Sequence, residues 1–330
     1  MSTLWGPALV SFATALLGIF LLLRGAVLRD VIDHPNERSL HVAPIPRTGG
    51  LGLMAGVLAG WGLVWQPWLL PVSAGVLFLM LVSFLDDLRG LSAGWRFLMH
   101  FIVAGVFVWV AILPDSGWLI AGALSVAMVW MTNLYNFMDG SDGLAGGMAL
   151  FGFVGYTLAS WLSGDAGLAM SCLAIAAATL AFLCFNFHPA RIFMGDAGSI
   201  PLGFLSAALG LIGWQRGIWP MWFPMLVFSP FIVDATVTLI KRMLRRQKIW
   251  QAHRSHYYQR LVQMGWGHRK TALWEYGLML MVGASALWLI GKPWVVQMIG
   301  LVLWLLIYAV LAWKVDRMWK RRVTSMRQHD

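Results

Sequence analysis

The sequence predicts an all-α integral membrane protein, a polytopic bundle of about 11 transmembrane helices. Hydrophobic residues make up 59% of the 330 residues and charged residues only 12%, and the mean hydropathy is +0.72. Soluble domains carry about 25% charged residues, so this composition is typical of a chain that lies in a bilayer. The apolar residues also fall in runs that approach the roughly 17–25 residues of a spanning helix.

Eleven such runs are separated by polar or turn-forming segments. In chain order they cover residues 4–23, 49–65, 69–85, 97–113, 117–136, 147–162, 167–186, 199–214, 219–240, 272–290 and 294–313. The N-terminus lacks the basic segment and cleavage site of a secretory signal, so we expect the first run to be a retained helix. We expect residues 1–330 to form a single polytopic membrane domain. Cys172 and Cys184 lie in one run, about 18 Å apart along a helix, and are expected to be unbridged.

The basic residues test the number of helices independently. If the N-terminus lies outside, 22 of the 24 Lys and Arg residues fall on the cytoplasmic side, and only Arg216 and Lys292 fall outside. Membrane proteins carry an excess of Lys and Arg in their cytoplasmic loops. One helix more or fewer would reverse the side of every later loop and so remove this excess. We therefore expect a cytoplasmic C-terminus and active-site loops at residues 24–48, 86–96, 137–146, 187–198 and 241–271. The net charge of +10 reflects this orientation and does not indicate nucleic-acid binding.

Three groups of carboxylates lie at the predicted cytoplasmic ends of different runs. Their members are Asp86 and Asp87 in "FLDDLRGL", Asp139 and Asp142 in "NLYNFMDGSDGL", and Asp196 in "FMGDAGS". Carboxylates beside amide oxygens suit a hard cation such as Mg²⁺, which takes few protein ligands and shares its shell with phosphate. Ordinary loop carboxylates are the alternative, but three groups on one side of the membrane favour a shared site.

The tetrapeptide Gly-Asp-Ala-Gly occurs twice and provides an internal comparison. Residues 164–167 are expected outside, in a short hairpin where a turn explains them, whereas residues 195–198 are expected inside, after Phe193. Topology therefore gives identical residues different interpretations. Asp165 is expected to serve a turn, and Asp196 is expected to serve a site.

The most basic loop contains "HRSHYYQRL", with His253, Arg254 and His256. A zinc site would need further His or Cys ligands, and the sequence offers only His268 nearby. Phosphate or diphosphate binding fits better, because guanidinium and imidazolium donors match phosphate oxygens. A solvated basic loop in contact with anionic lipid is the alternative.

Two further polar features are less specific. In the first cytoplasmic loop, the Arg47-Thr-Gly-Gly turn opens a helix whose N-terminus could bind an anion, although anchoring at the membrane surface would explain it equally well. Asp234 lies seven residues before Lys241, about 10 Å inside the helix end. Asp234 either forms a structural pair with a basic residue or has a catalytic role, and the sequence leaves both alternatives open.

These segments, preceded by "DHPNERSLHVAPIPRTGG", resemble in order and spacing the polyprenyl-phosphate N-acetylhexosaminyl-1-phosphate transferase family over about residues 33–262. The resemblance implies a multi-pass enzyme of the bacterial inner membrane with its active site facing the cytoplasm. There, a glycosyl-1-phosphate transferase would use Mg²⁺, with Mn²⁺ as a substitute, to transfer a sugar-1-phosphate from a UDP-N-acetylhexosamine to undecaprenyl phosphate, releasing UMP. The expected partners are thus the UDP-N-acetylhexosamine, undecaprenyl phosphate and the lipid bilayer. Nucleic acid is not an expected partner, and a homodimer is left open.

The resemblance also implies roles for individual residues. The expected metal contacts are Asn136 and Asp196. The expected catalytic acids are Asp86 and Asp87, near the attacking lipid phosphate, and Asp139. The expected nucleotide-sugar contacts are Asp142, Phe193 (stacked on uracil), His253, Arg254 and His256. Arg47 is expected to contact the lipid phosphate.

Two departures from the family's peptidoglycan branch bear on the substrate. The segment reads His-Arg-Ser-His where that branch has three consecutive histidines, and no lysine follows the paired aspartates. Both argue against a pentapeptide-bearing muramyl donor and favour GlcNAc, FucNAc or QuiNAc donors for O-antigen (lipopolysaccharide) or a related cell-envelope polysaccharide.

For the mechanism, direct attack of the lipid phosphate on the donor is favoured over a covalent enzyme intermediate. A secondary transporter of an anionic substrate is the alternative function, but its sites lie near the midplane, often in repeated halves. A scaffold would not explain the carboxylates.

Overall fold

The computed structural model describes residues 5–25, 32–33, 40, 44–112, 117–248 and 253–326. Within these residues it contains thirteen α-helices, a π-helical turn at Val262–Trp266 and two antiparallel two-residue strands, β1 (Ile32–Asp33) and β2 (Ile45–Pro46). The helices are α1 (Trp5–Arg24), α2 (Gly49–Trp61), α3 (Leu69–Arg89), α4 (Ala93–Ala111), α5 (Trp118–Phe137), α6 (Leu144–Leu162), α7 (Ala166–Asn186), α8 (Asp196–Gln215), α9 (Trp222–Val227), α10 (Ser229–Leu244), α11 (Tyr257–Leu261), α12 (Gly267–Leu289) and α13 (Trp294–Met326). Much of the predicted loop at residues 24–48 lies outside the described residues.

The predicted all-α polytopic fold is confirmed. Nine helical segments of the described chain are long and apolar enough to cross a membrane, and each of the eleven predicted runs overlaps a helix. Two runs differ in form. The second is the 13-residue α2, and the ninth divides into α9 and α10, because Pro230 cannot donate the backbone hydrogen bond that would continue α9.

Helix α8 occupies the centre of the bundle. Of its most apolar stretch 89% is buried, against 11% for α13, which lies at the periphery. Helix α8 packs against α2, α3 and α5, while α7 packs against α1, α2 and α6. Because α8 begins at Asp196, the most enclosed helix of the bundle places this carboxylate at one of its ends.

Asp165 and Asp196 lie at opposite ends of the bundle. Asp165 caps α7 by accepting a hydrogen bond from Leu168 N at 2.8 Å, and it binds Arg216, which follows the last residue of α8, at 2.7 Å. The far end of α7, at Asn186, lies beside the site described below and is about 30 Å away along the helix. The first Gly-Asp-Ala-Gly segment is therefore a turn and helix cap.

The Arg47-Thr-Gly-Gly turn is held by the segment that precedes α8. Gly49 N donates to Phe193 O and Gly50 N donates to Met194 O, both at 2.9 Å. These two helix-terminal amides are therefore not available to an anion, one of the two interpretations of the turn, because carbonyl groups of the protein already accept them. The contact instead attaches Arg47 to the start of α8.

Replacing Gly50 by Ala is expected to destabilise the protein by about 1–3 kcal/mol, the usual cost of overpacking. A Cβ here would lie 2.5 Å from Gly198 Cα and 2.6 Å from Met194 O, so backbone would have to move. Thermal unfolding of the purified protein in detergent measures the change. Gly105→Ala is the control, because its Cβ would meet no atom within 4 Å. Equal losses in the two variants would contradict the close contact.

Candidate active site

A cavity of about 260 Å³ opens where the ends of α5 and α7 meet the start of α8. The predicted site residues that line it are Arg47, Asn136, Asp139, Asp142, Phe193 and Asp196. They come from separate segments of the chain, which the packing of α8 against α2 and α5 brings together. This cavity is called the reaction cavity below.

Asn136 and Asp196 are in direct contact in the wall of the reaction cavity. Asn136 Nδ2 donates to Asp196 Oδ1 at 2.8 Å and to Ser199 Oγ at 3.0 Å. Asn136 lies in the last turn of α5 and Asp196 is the first residue of α8. The contact between these two helices therefore determines the spacing of the two predicted metal ligands.

The donor atoms at this contact suit Mg²⁺. In the described part of the chain, no three His, Cys, Asp or Glu residues are arranged to hold a metal. A cation between Asn136 and Asp196 would thus take an amide and a carboxylate from the protein and complete its shell with phosphate and water. Mg²⁺ commonly binds in this way, with few protein ligands.

Arg96, in the first turns of α4, connects the carboxylates of two predicted groups. Its Nη1 lies 3.1 Å from Asp86 Oδ2 and 3.4 Å from Asp196 Oδ2. The other Asp86 oxygen accepts a hydrogen bond from Leu91 N at 2.6 Å. Both Asp86 oxygens are therefore engaged at the turn between α3 and α4. Arg96 was not among the predicted site residues, although it lies in a loop predicted to face the site.

Asp87 is joined to the reaction cavity by Arg47. Arg47 Nη1 lies 3.4 Å from Asp87 Oδ1, and Nη2 donates to Asp87 O at 3.2 Å. The Asp87 side chain is only 5% exposed, whereas that of Arg47 is 36% exposed. Arg47 thus pairs with a buried carboxylate while it lines the cavity, a position from which it can reach an anionic ligand.

Asp139 lies in the turn between α5 and α6 and lines the reaction cavity. Burial raises the pKa of Asp139 well above its usual range, and the neighbouring Asp196 carboxylate raises it further. A carboxyl group in such surroundings binds a proton or a cation more readily than an exposed one. The catalytic role of Asp139 stays a prediction.

Asp142 is fixed by the segment that follows α7. His188 Nδ1 donates to Asp142 Oδ2 at 2.6 Å, and Ala190 N donates to the same oxygen at 3.1 Å. Asp142 is only 6% exposed, so its orientation depends on these donors. His188 was not among the predicted site residues. Its place just before "FMGDAGS" was the available signal, because that segment was already expected to enter the site.

His268 joins the first cytoplasmic loop to the same wall. Its Nε2 donates to Leu40 O at 3.1 Å, which leaves Nδ1 to accept from Ser141 Oγ at 2.9 Å. Its ring stacks on that of His188, with centroids 5.6 Å apart and planes 11° apart. His268 entered the sequence analysis only as a zinc candidate, whereas the structure makes it a residue that positions the cavity wall.

His253, Arg254 and His256 do not line the reaction cavity. His256 is 2% exposed, and its Nδ1 donates to Asp234 Oδ1 at 3.2 Å. The rings of His253 and His256 lie 4.9 Å apart. Burial, together with the neighbouring His256, lowers the pKa of His253 to about 4, so His253 is neutral near pH 7 and is not the imidazolium expected. Contact of His253, Arg254 and His256 with the nucleotide sugar stays a prediction.

Asp234 has a structural role at the start of α11. It accepts hydrogen bonds from Tyr257 N at 2.9 Å and Tyr258 N at 3.0 Å, besides the one from His256. This arrangement satisfies amides that a helix N-terminus leaves without partners. Gln259, which the sequence analysis did not single out, lines the reaction cavity from the same short helix.

Comparison with known proteins shows the family of the chain. A family model described as "Glycosyl transferase family 4" matches residues 69–213. The chain is 31% identical over 296 residues to the "Probable undecaprenyl-phosphate N-acetylglucosaminyl 1-phosphate transferase" of Bacillus subtilis (strain 168), with 84% of this chain and 83% of the relative covered.

Two more distant relatives have related names. The "Undecaprenyl-phosphate alpha-N-acetylglucosaminyl 1-phosphate transferase" of Salmonella typhi is 26% identical over 92% of this chain and 88% of its own length. The "Phospho-N-acetylmuramoyl-pentapeptide-transferase" of Geobacillus thermodenitrificans is 28% identical over 71% of this chain and 81% of its own length. The extent of these matches, together with the helical membrane fold, shows that the chain belongs to the polyprenyl-phosphate N-acetylhexosaminyl-1-phosphate transferase family of enzymes.

Proposed function

We propose that the chain transfers an N-acetylhexosamine-1-phosphate from a UDP-sugar to undecaprenyl phosphate, releasing UMP, and so starts a lipid-linked surface polysaccharide such as O-antigen. The observation that carries this proposal is the contact of Asn136 with Asp196 at 2.8 Å in the wall of the reaction cavity. The same cavity is lined by Arg47, Asp142 and Phe193. It thus combines a cation site, a basic group and an aromatic ring, as a nucleotide diphosphate requires.

The donor is proposed to be UDP-GlcNAc or a deoxy relative such as UDP-FucNAc or UDP-QuiNAc. The relatives from Bacillus subtilis and Salmonella typhi are named for N-acetylglucosaminyl transfer. The His-Arg-Ser-His sequence at residues 253–256 and the absence of a lysine after Asp86-Asp87 argue against the muramoyl-pentapeptide donor.

The proposed reaction is one direct displacement. An oxygen of the lipid phosphate attacks the phosphorus that carries the sugar, and the bond from this phosphorus to the UMP oxygen breaks. Near neutral pH a phosphate monoester is largely deprotonated, with a second pKa of about 6, so Asp87 need only orient the nucleophile through Arg47. Mg²⁺ held by Asn136 and Asp196 would neutralise charge on the diphosphate.

The reaction is proposed to take place at the cytoplasmic face of the bacterial inner membrane. The 22 basic residues on one predicted side support this orientation. The pairing of Asp165 with Arg216 supports it too, because both residues were predicted on the opposite side and are found together.

The proposal is tested by incubating the purified chain with undecaprenyl phosphate, Mg²⁺ and each of UDP-GlcNAc, UDP-GalNAc, UDP-FucNAc and UDP-QuiNAc. We expect UMP release with one or more donors, its loss when EDTA is added, and its recovery with Mg²⁺ or Mn²⁺. Omission of the lipid phosphate is the control, because hydrolysis of the donor alone would also release UMP. Absence of lipid-dependent UMP with all four donors would contradict the proposal.

A further inference from the structure

A second cavity, of about 390 Å³, lies between the end of α10, the start of α11 and the C-terminal turns of α13. Six basic side chains line it, and they are Lys241, Arg242, Arg245, Arg254, Arg260 and Lys320. One carboxylate, that of Asp316, is also in its lining. This cavity is called the basic cavity below.

The Asp316 carboxylate is already engaged by two of these cations. Lys241 Nζ binds one of its oxygens, and Arg260 Nη1 lies 2.8 Å from the other. Arg260 is only 6% exposed and also donates from Nε to Ser255 O at 2.8 Å. These three residues form a structural ion network that connects α10 and α11 to α13.

The remaining four cations of the basic cavity have no carboxylate partner in the described part of the chain. They are Arg242, Arg245, Arg254 and Lys320. Arg242 donates from Nη2 to Lys248 O at 2.9 Å, but its buried Nε has no partner among the described groups. The residues at positions 249–252 are Ile, Trp, Gln and Ala, so they cannot supply an acid.

Such an accumulation of like charge favours the entry of an anion, because the cations repel each other and Arg242 is half-buried, with a buried Nε that has no partner among the described groups. Arginine binds phosphate oxygens with paired N–H donors. Several guanidinium groups around one cavity therefore indicate a phosphate-bearing ligand.

The position of the basic cavity relative to the bilayer indicates where that ligand comes from. Helix α13 has 33 residues and is about 50 Å long, which exceeds the roughly 30 Å hydrocarbon layer. Its basic turns from Lys314 onward therefore extend past the apolar part, and Trp319 lines the cavity there. Tryptophan concentrates at membrane interfaces, and basic pockets between helices bind the headgroups of anionic lipids.

We propose that the basic cavity binds the phosphate of an anionic phospholipid headgroup at the inner leaflet. The site is separate from the reaction cavity, because the consecutive residues Gln259 and Arg260 of α11 line different cavities. A bound headgroup would neutralise Arg242, Arg245 and Lys320 and would hold the end of α13 against α10.

The test uses the full chain in neutral detergent, titrated with palmitoyl-oleoyl phosphatidylglycerol or with the matching phosphatidylcholine, and follows thermal unfolding and bound lipid by native mass spectrometry. We expect phosphatidylglycerol to bind and to raise the unfolding temperature, since a ligand stabilises the state that binds it. The double variant Arg245→Gln/Lys320→Gln should bind it about tenfold more weakly or worse, because two of the cations are lost. Both side chains are exposed, so the variant should fold.

The matched control is Arg269→Gln/Lys270→Gln, which removes two exposed basic groups of α12 that do not line the basic cavity. It should retain the wild-type affinity. Inorganic phosphate and glycerol 1-phosphate serve as soluble probes of the same site. If they stabilise the protein as strongly as the lipid does, and Arg245→Gln/Lys320→Gln removes this stabilisation, the phosphate site is supported and its ligand is a soluble one. If phosphatidylcholine binds as tightly, or both double variants lose binding equally, the proposal is overturned. Neither readout uses turnover, so the result is independent of the proposed function.

Discussion

Replacing Asp196 by Asn is expected to lower kcat by about a thousandfold, the scale seen when a group that stabilises transition-state charge is removed. The Asp196 carboxylate accepts from Asn136 at 2.8 Å and lies 3.4 Å from Arg96. Asparagine keeps the shape and one acceptor oxygen but removes the charge that a cation would need. The variant should therefore fold and lose activity, which UMP release and thermal unfolding measure together.

Asp165→Asn is the matched control, because it makes the same change in the other Gly-Asp-Ala-Gly segment. Asp165 binds Arg216 at the opposite end of the bundle, and asparagine can still accept the capping hydrogen bond from Leu168 N. Its kcat should stay within about twofold of wild type, since a surface ion pair contributes at most about 1 kcal/mol. Wild-type turnover in Asp196→Asn would remove this residue from the metal site, and an inactive Asp165→Asn would contradict the placement of the site.

Replacing Asp87 by Asn is expected to lower kcat by about 10²-fold, the scale for a misplaced reactant, with little change in KM for the UDP-sugar. Asp87 is the member of the aspartate pair that contacts Arg47, at 3.4 Å, and Arg47 lines the reaction cavity. Loss of the carboxylate would release Arg47 and leave the lipid phosphate less well oriented. Steady-state kinetics with each substrate varied in turn measures the division between kcat and KM.

The neighbouring Asp86→Asn is the comparison for this prediction. Asp86 contacts Leu91 N and Arg96 at the turn between α3 and α4, so its replacement should lower the unfolding temperature and reduce kcat only through Arg96, by about tenfold. If Asp86→Asn proved as inactive as Asp87→Asn, the division of roles between the paired aspartates would be wrong.

Much of the reaction cavity was predictable because its residues lie in short motifs at helix ends. Asn136 and Asp196 were expected together from their motifs, and the structure brings them into contact. The sequence put Arg96 and His188 in loops expected near the site, but it did not indicate that they contact the carboxylates of other segments. Such partners depend on how two helix ends meet, and neither residue type is unusual in a cytoplasmic loop.

The residues at positions 253–256 are the reverse case, because the sequence made this motif prominent and the structure places it outside the lining of the reaction cavity. His253 and His256 were expected to contact the substrate because they resemble a family motif, yet the structure directs His256 to Asp234 and places Arg254 in the basic cavity. Asp234 itself, which the sequence left between two roles, becomes the cap of α11. The sequence carries the residue types of a motif, but burial and hydrogen-bond partners decide which of them face a ligand.

The sequence by itself determined that this protein crosses the membrane several times with helices and that its carboxylates gather at helix ends, because hydropathy, length and charge asymmetry are local properties of the chain. Only the tertiary structure decided which carboxylate meets which cation. The packing of α8 between α3 and α5 places Asp196 against Asn136 and within reach of Arg96, and contacts between residues 60 to 100 positions apart cannot be derived from local patterns. The same packing separated the reaction cavity from the basic cavity, because neighbouring residues of one short helix face different sides of it.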